Sequence, residues 1–388
     1  MTDIATSVRA SIVIDNYNNG PFLKDAIDSA LNQSYPNVEV IVVDDGSSDD
    51  SREIIAGYGD QIIPVLKQNG GHASALNAGF ARSCGKVIVF LDSDDMLLST
   101  AVEKSVPLFR NPSTVKVHWP LWTTDRHGAK TGEIFPKDSL PEGDFREYVI
   151  REGPAGLGAS IAAAWARSFL ESVLPIPEAV FRQGAETYLF ELAPLYGELR
   201  RISEPQGLYR MHGQNHSVST PFEERLRLEL VWYEHLLEVM TKRCAEMGFV
   251  VDLKAWKRNT WGFRLERATQ EIAAVVPPGH NFILVDQNQW RMSEASHPPI
   301  PFLEREGKYW GRPPDDETAI RELERLRECG GSFIVFGWPA FWWFSYYRKF
   351  DDYIRSRFTC VLENDRLVVF DLRNEHRRLH YGIGKVDA

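Results

Sequence analysis

Cysteine is scarce in this chain: four in 388 residues, Cys84, Cys244, Cys329 and Cys360. No two of them stand at the short spacing of a zinc site or redox motif, so a disulfide scaffold is excluded and buried free thiols in a reducing cytoplasm are expected. Long apolar runs are missing too. None reaches the roughly 20 residues that a membrane helix needs, which leaves peripheral membrane contact as the most a bilayer can offer. The amino terminus lacks a charged-then-apolar leader pattern, with Asp3 near its start. A basic excess is absent as well: the net charge of −10 argues against nucleic acid as a partner. These absences predict a soluble, cytoplasmic protein. What is present is ordinary for a globular chain, 43% hydrophobic and 25% charged, and the length suits two or three domains.

The most informative stretch is Val87-Ile88-Val89-Phe90-Leu91, followed at once by Asp92-Ser93-Asp94-Asp95. The apolar run reads as a buried strand. The carboxylates crowded at its end repel one another unless something compensates them. A hard divalent cation, Mg²⁺ or Mn²⁺, takes oxygen ligands and is often shared with substrate phosphates. The plainer alternative is a solvated acidic loop that caps a helix beginning at Met96-Leu97-Leu98.

Three strand–helix units precede that run. Ser11 to Ile14 is a strand ending at Asp15-Asn16-Tyr17-Asn18-Asn19-Gly20-Pro21, and Phe22 to Gln33 is the helix after it. Val38 to Val43 runs into Asp44-Asp45-Gly46-Ser47-Ser48-Asp49 and a helix to about Tyr58. Ile62 to Leu66 leads through Gln68-Asn69-Gly70-Gly71-His72 into a small-residue helix, Ala73 to Ser83. Such alternation predicts an α/β fold with a mixed, mainly parallel sheet covered on both faces. Ligands of these sheets bind beyond the carboxyl ends of the strands, where Asp15, Asp45, His72 and Asp92 to Asp95 all fall.

Further on, Pro154 to Ser160 is a small-residue loop before the apolar stretch Ile161 to Trp165. Phe181 to Tyr188 opens a helix running to Tyr196, and Gly207 to Ser217 is a polar stretch carrying His212 and His216. Two helices, Phe222 to Met247 and Leu253 to Val276, read as a connector with solvated outer faces. Pro277-Pro278-Gly279 marks a boundary, and beyond it strands and helices alternate again. The expected organisation is an α/β domain over 1–220, a helical connector over 221–277 and a small α/β domain over 278–388. In the last, Phe341 to Phe358 reads as one helix, and Glu363 to Arg366 as the turn of a terminal hairpin.

The series strand–Asn-Tyr-Asn, Val-Val-Asp-Asp-Gly-Ser-Ser-Asp, Asn-Gly-Gly and Leu-Asp-Ser-Asp-Asp resembles the family 2 glycosyltransferases with the GT-A fold over roughly residues 9 to 220. The resemblance implies inverting transfer of a sugar from a nucleoside diphosphate donor, a UDP-sugar first of all, assisted by Mg²⁺ or Mn²⁺. The acceptor is a saccharide, a lipid-linked intermediate or a protein, as in polysaccharide biosynthesis. By position, Asp45 resembles the carboxylate that meets the donor's base, with Asp44 beside it. Asp15 and Tyr17 match the loop lining the nucleotide, where many relatives have Thr-Tyr-Asn. Gly71, His72 and Ala75 fall where the family closes over base and ribose. Asp92, Ser93 and Asp94 match the metal-and-ribose motif, with Asp95 able to ligate and His212 as a further metal ligand or phosphate contact. Arg210 stands where it can pair with phosphate or form a surface ion pair.

A general base must take the acceptor's proton. The family usually carries a Glu-Asp pair at a helix start before its Tyr-Arg-x-His segment. Here the window reads Gly184-Ala185-Glu186-Thr187-Tyr188, so Glu186 is the candidate and Glu191 the fallback. A non-catalytic binding scaffold that has lost its base is the rival from another class. A nucleotidyltransferase is a second rival, but the first-strand loop lacks the glycine-rich basic pattern it needs. The aromatic block Phe336 to Tyr347 reads either as a core stripe or as a sugar- or lipid-contacting surface.

Overall fold

A computed structural model describes residues 8–137, 139–154, 156, 163–213 and 220–375. His216, residues 155 and 157–160 of the small-residue loop and residues 161–162 of the apolar stretch lie outside them. The chain divides into two compact units, Met1–Ser219 with Glu229–Thr260, and Thr220–Leu228 with Trp261–Ala388. The helices read from sequence as a connector are therefore shared out between the two units.

In the first unit the strands β1 (Ala10–Asn16), β2 (Val38–Asp44), β3 (Ile63–Leu66) and β4 (Val87–Asp92) alternate with the helices α1 (Gly20–Leu31), α2 (Ser51–Gly57) and α3 (His72–Arg82). β1 and β4 are buried along nearly their whole length, as parallel strands covered on both faces must be, which is why their sequences are continuous apolar runs. β3 is different: its residues alternate in exposure and include Pro64. It lies at the edge of the sheet, where a missing N–H costs no ladder bond. Ile12, Ile14, Val42, Val89 and Leu91 pack against Leu23, Ala26 and Ile27 of α1 in the main core. Each fully buried Leu or Ile contributes about 1.5–3 kcal/mol.

After β5 (Met96–Leu97) and α4 (Ala101–Ser105) come β6 (Thr114–His118), β7 (Leu121–Thr124), β8 (Lys130–Phe135), α5 (Arg146–Glu152), β9 (Ala163–Ala166), α6 (Arg167–Val173), α7 (Ala185–Tyr196), β10 (Glu198–Arg201) and β11 (Gly207–Arg210). The main sheet runs β10-β6-β9-β4-β1-β2-β3, with β9 antiparallel to both its neighbours. A second sheet runs β5-β11-β7-β8. The expected α/β class and mixed, mainly parallel sheet are thus what the chain adopts. One expectation fails usefully. Met96-Leu97 does not start a helix but pairs antiparallel with β11, Leu97 opposite Gly207, so the acidic run before it is no helix cap.

The second unit holds a five-stranded sheet, β13-β12-β16-β18-β17. Its strands are β12 (Asn281–Val285), β13 (Ile300–Pro301), β16 (Gly331–Gly337), β17 (Phe358–Glu363) and β18 (Leu367–Glu375); a two-stranded ribbon, β14 (Glu304–Arg305) and β15 (Lys308–Tyr309), stands apart. The terminal hairpin is as expected. The single helix read over Phe341 to Phe358 is instead two, Trp343–Tyr346 and Arg348–Arg357. The break at Tyr347 lets Trp343, Tyr347 and Phe350 all enter one core with Phe336 and Ile354, while the Tyr347 hydroxyl donates to the carbonyl of Pro313. Most of the aromatic block is therefore core, with Tyr346 exposed.

The second connector helix is also two, Leu253–Asn259 and Trp261–Val275. At Thr260 both the amide and the hydroxyl turn back to the carbonyl of Trp256, the side-chain competition that ends helices. All four cysteines are free, but only Cys244 is buried. Among the described residues no helix is long and apolar enough to cross a membrane.

Candidate active site

Strand pairing builds the site. β1 and β4 are parallel neighbours with Asp15 opposite Asp92, so two carboxylates share one sheet edge. The chain then turns, Asp95 donating its amide to the carbonyl of Asp92, and Asp92, Asp94 and Asp95 bring one oxygen each within 4.8 Å of the others. β11 ends beside this turn. The Arg210 amide donates to Asp95 Oδ1 at 2.9 Å, and His212 Nε2 lies 3.0 Å from Asp94 Oδ2, its ring packed on Phe22.

Facing that edge are the amino ends of two helices. His72 opens α3, and Glu186 sits in the first turn of α7. His72 Nε2 is 3.1 Å from Glu186 Oε1 and 3.7 Å from Asp15 Oδ2. The Glu186 contact lies off the ring N–H direction and is a close electrostatic contact. Gly184, at φ 62°, admits α7 in a left-handed turn against the ring of Trp232, where a side chain would collide. Asp15 Oδ1 is buried and finds no hydrogen-bond partner among the described residues.

Crowding shows in the acid–base balance. Burial, with Glu186 and Asp94 adding to it, pushes the Asp15 carboxyl up to about 7 against the pull of His72. Burial likewise raises Asp92, helped by Glu186 and Asp15, and Asp95, helped by Asp94. Burial works to neutralise His72, while Glu186 and Asp15 pull its imidazole up toward the charged form. For Glu186, burial is outweighed by His72, and its carboxyl is held below the usual range. The edge thus gathers Asp15, Asp92, Asp94, Asp95 and Glu186 about two imidazoles, His72 and His212.

A second cluster lies one strand over. Asp45 accepts from the amides of Gly70 at 2.9 Å and Gly71 at 2.7 Å, and pairs with Lys67 Nζ at 2.5 Å. Gly71, at φ 89°, has no room for a side chain against Arg182. Tyr17 stands 52% exposed near the end of β1. Lys67 escaped the sequence reading, although its place at the carboxyl end of β3 is the signal that marked the other loops.

Other expected site residues are buried. Asp44 is fully buried, with Asn16, Ser47 and Arg52 donating to it, so it braces the β2 loop. Ser93 is 2% exposed and accepts from Asn19. Ala75 is 2% exposed and is packing. Arg210 forms the ion pair, with the half-exposed Asp25, although its own guanidinium is buried and also donates to the carbonyls of Asp94 and Arg126. Glu191 is buried away from the cluster, accepting from the Gly156 amide and the Tyr233 hydroxyl. Five residues along a helix from Glu186, it faces another way.

The chain matches the family model for glycosyl transferase family 2 over residues 11–168. It is 30% identical over 217 residues to an uncharacterized glycosyltransferase of Nostoc, covering 55% of this chain and 67% of that one. This chain belongs to glycosyltransferase family 2. It is an enzyme of the glycosyltransferase class. A second glycosyltransferase, of Rickettsia prowazekii and also uncharacterized, is 44% identical over 96 residues, 25% of this chain and only 30% of its own length. Among solved structures, Staphylococcus aureus TarS in complex with UDP is similar at 17% identity and a TM-score of 0.44, covering 69% of this chain and 79% of that one.

For this glycosyltransferase the acidic edge suits a divalent cation. Its donors are carboxylate oxygens, the ligand type that Mg²⁺ and Mn²⁺ prefer, and the unpartnered Asp15 Oδ1 marks charge that the protein itself leaves uncompensated. Asp92, Asp94 and Asp95 would hold it, with His212 reaching it through Asp94.

Proposed function

We propose that this enzyme transfers a sugar, with inversion, from a nucleoside-diphosphate donor to an acceptor hydroxyl, and that residues 1–220 carry the chemistry. The observation that supports this reading best is the meeting of Asp15, Asp92, Asp94 and Asp95 with Glu186 at one sheet edge. A bound Mg²⁺ or Mn²⁺ supplies charge neutralisation for the departing diphosphate. The protein does the rest. Asp45 and Lys67 hold the loop Gln68–Gly71 that would close over the base. Asp45 is the carboxylate we assign to the base's ring N–H, in exchange for one of its contacts to Lys67 or Gly70, and exposed Tyr17 offers a face for stacking. Uridine is the base we assign first.

Glu186 is the proposed general base. The acceptor oxygen attacks the anomeric carbon, its proton passes to the Glu186 carboxylate, and the bond from that carbon to the phosphate oxygen breaks with its electron pair leaving on the nucleoside diphosphate. A base held as a carboxylate suits that task. The acceptor classes are a saccharide, a lipid-linked intermediate or a protein.

A thermal-shift screen of UDP-, GDP- and dTDP-sugars with and without Mn²⁺ tests the donor, since a ligand of the native state raises its stability. The expected result is stabilisation by a UDP-sugar only when Mn²⁺ is present. Absence of stabilisation by any nucleotide would overturn the reading in favour of a scaffold.

A further inference from the structure

His72 stands in the middle of the acidic edge, yet nothing assigned there requires an imidazole. Its two ring nitrogens do different things. Nδ1 lies 3.3 Å from the backbone amide of Ala185, which donates to it. A backbone amide has a proton to give and no lone pair to offer, so in this geometry Nδ1 presents its lone pair and the ring proton sits on Nε2; a second proton, which Glu186 and Asp15 favour, would have to break the Ala185 contact. That proton decides between two roles. Asp15, His72 and Asp92 place ligand atoms within 4.8 Å of one another, an arrangement that invites a cation. A nitrogen that carries a proton cannot ligate one, however, so Nε2 is a donor here. The acceptor nearest to it is Glu186 Oε1 at 3.1 Å, with Asp15 Oδ2 farther at 3.7 Å.

Both ring contacts that follow from this go to adjacent residues in the first turn of α7, Ala185 and Glu186. The base of α3 is fixed to the segment before α7 as well, since the His72 and Ala73 amides donate to the carbonyls of Arg182 and Phe181. Glu186 has reason to need such a hold. Its side chain is long and flexible and stands among the Asp15 and Asp92 carboxyls, and His72 is the group that most favours its charge. A flexible anion among like charges swings outward unless a donor draws it in.

We propose that His72 is a positioning residue of this glycosyltransferase: its Nε2–H draws the Glu186 carboxylate toward the acceptor hydroxyl, while the Ala185 amide locks the ring that does so. The proposal rests on Glu186 being the base. Losing such an orienting bond costs roughly 10- to 100-fold in turnover, by analogy with outer-sphere partners of catalytic groups.

Two amides separate the ring's halves. Gln places a donor where Nε2–H stands, whereas Asn places an acceptor where Nδ1 stands. Turnover is measured as Mn²⁺-dependent release of nucleoside diphosphate from whichever nucleotide sugar stabilises the protein most. His72→Gln should retain kcat within about 3-fold, and His72→Asn should lose roughly 10- to 100-fold in kcat with the donor KM unchanged. In a Glu186→Gln background His72→Asn should cause no further loss, because the two act as one unit. The opposite order, Asn active and Gln inactive, would make His72 a prop for α7 alone and overturn the proposal. A parallel rise in the Mn²⁺ requirement of both variants would overturn it in favour of a ligand. Full turnover by Glu186→Gln by itself would remove the base assignment, a failure separate from the Gln–Asn order. Independent of turnover, ¹⁵N spectra of the His72 ring with Mg²⁺ present should show Nε2 protonated. Loss of that proton on adding Mg²⁺ would also overturn it.

Discussion

Each unit of this protein places an aspartate at the carboxyl end of a parallel strand, partly buried in the first and buried in the second, and the two meet opposite fates. In the first unit Asp15 follows the apolar run of β1 and is left with an unpartnered oxygen beside Asp92. In the second, Asp286 follows the apolar run of β12 and is wholly taken up, its oxygens accepting from the amides of Asn288 and Trp290 at 2.9 and 2.8 Å. Burial raises the carboxyl of both. The difference is that the second unit spends its own backbone on the charge, and the first keeps its charge available. Strand-end acids are thus no sign of a site until their hydrogen bonds are counted.

The largest effect that would sharpen this contrast is on turnover. Asp94→Ala should abolish nucleoside diphosphate release, and EDTA should do the same to the wild type; activity surviving both would break the comparison on the metal side. Next comes Glu186→Gln, expected to bind donor normally in a thermal-shift titration and to lose transfer by roughly 10²–10⁴-fold. Asp286→Ala should leave turnover unchanged and instead destabilise the protein by about 1–3 kcal/mol, because two buried amides lose their acceptor. Chemical denaturation measures this.

Asp15→Asn should act in the other direction. Relieving one charge of the crowd should raise the metal-free thermal midpoint, by about 2–4 °C for each kcal/mol relieved. A fall in the midpoint would mean that Asp15 is as well satisfied as Asp286. The smallest effect concerns a buried histidine away from the edge. Burial, with the charge of Lys116 adding to it, pushes His118 down to about 3, while one ring nitrogen lies 2.8 Å from the carbonyl of Pro141. A group whose folded pKa lies below its unfolded value contributes stability above the unfolded value and loses it as the pH falls. The wild type should therefore lose stability relative to His118→Gln between about pH 6.5 and 3, seen as diverging thermal midpoints.

Legibility from sequence tracked how local the cause was. The strand–helix alternation of the first 92 residues could be read directly, because a buried parallel strand is an apolar run whatever surrounds it. The gathering of Asp15, His72 and Asp92 at one edge was readable for the same reason, since parallel topology sends every strand's carboxyl end the same way. Boundaries failed where a distant partner intervened. Met96-Leu97 looks helical until β11 pairs with it, and Phe341 to Phe358 looks continuous until the core demands Trp343, Tyr347 and Phe350 together.

The residues themselves determined the sheet, the family and the acidic edge, since these depend on side-chain type and period along the chain. Tertiary structure decided which polar groups are free. Aspartates 44 and 45 stand side by side in sequence, yet one is sealed behind Arg52 and the other, just past the end of β2, holds the Gly70–Gly71 loop, because successive side chains of an extended chain leave on opposite faces. It likewise separated Glu186 from Glu191 and gave His72 the backbone amide that fixes its proton. Hydrogen-bond partners brought together from residues more than a hundred apart are a property of the fold.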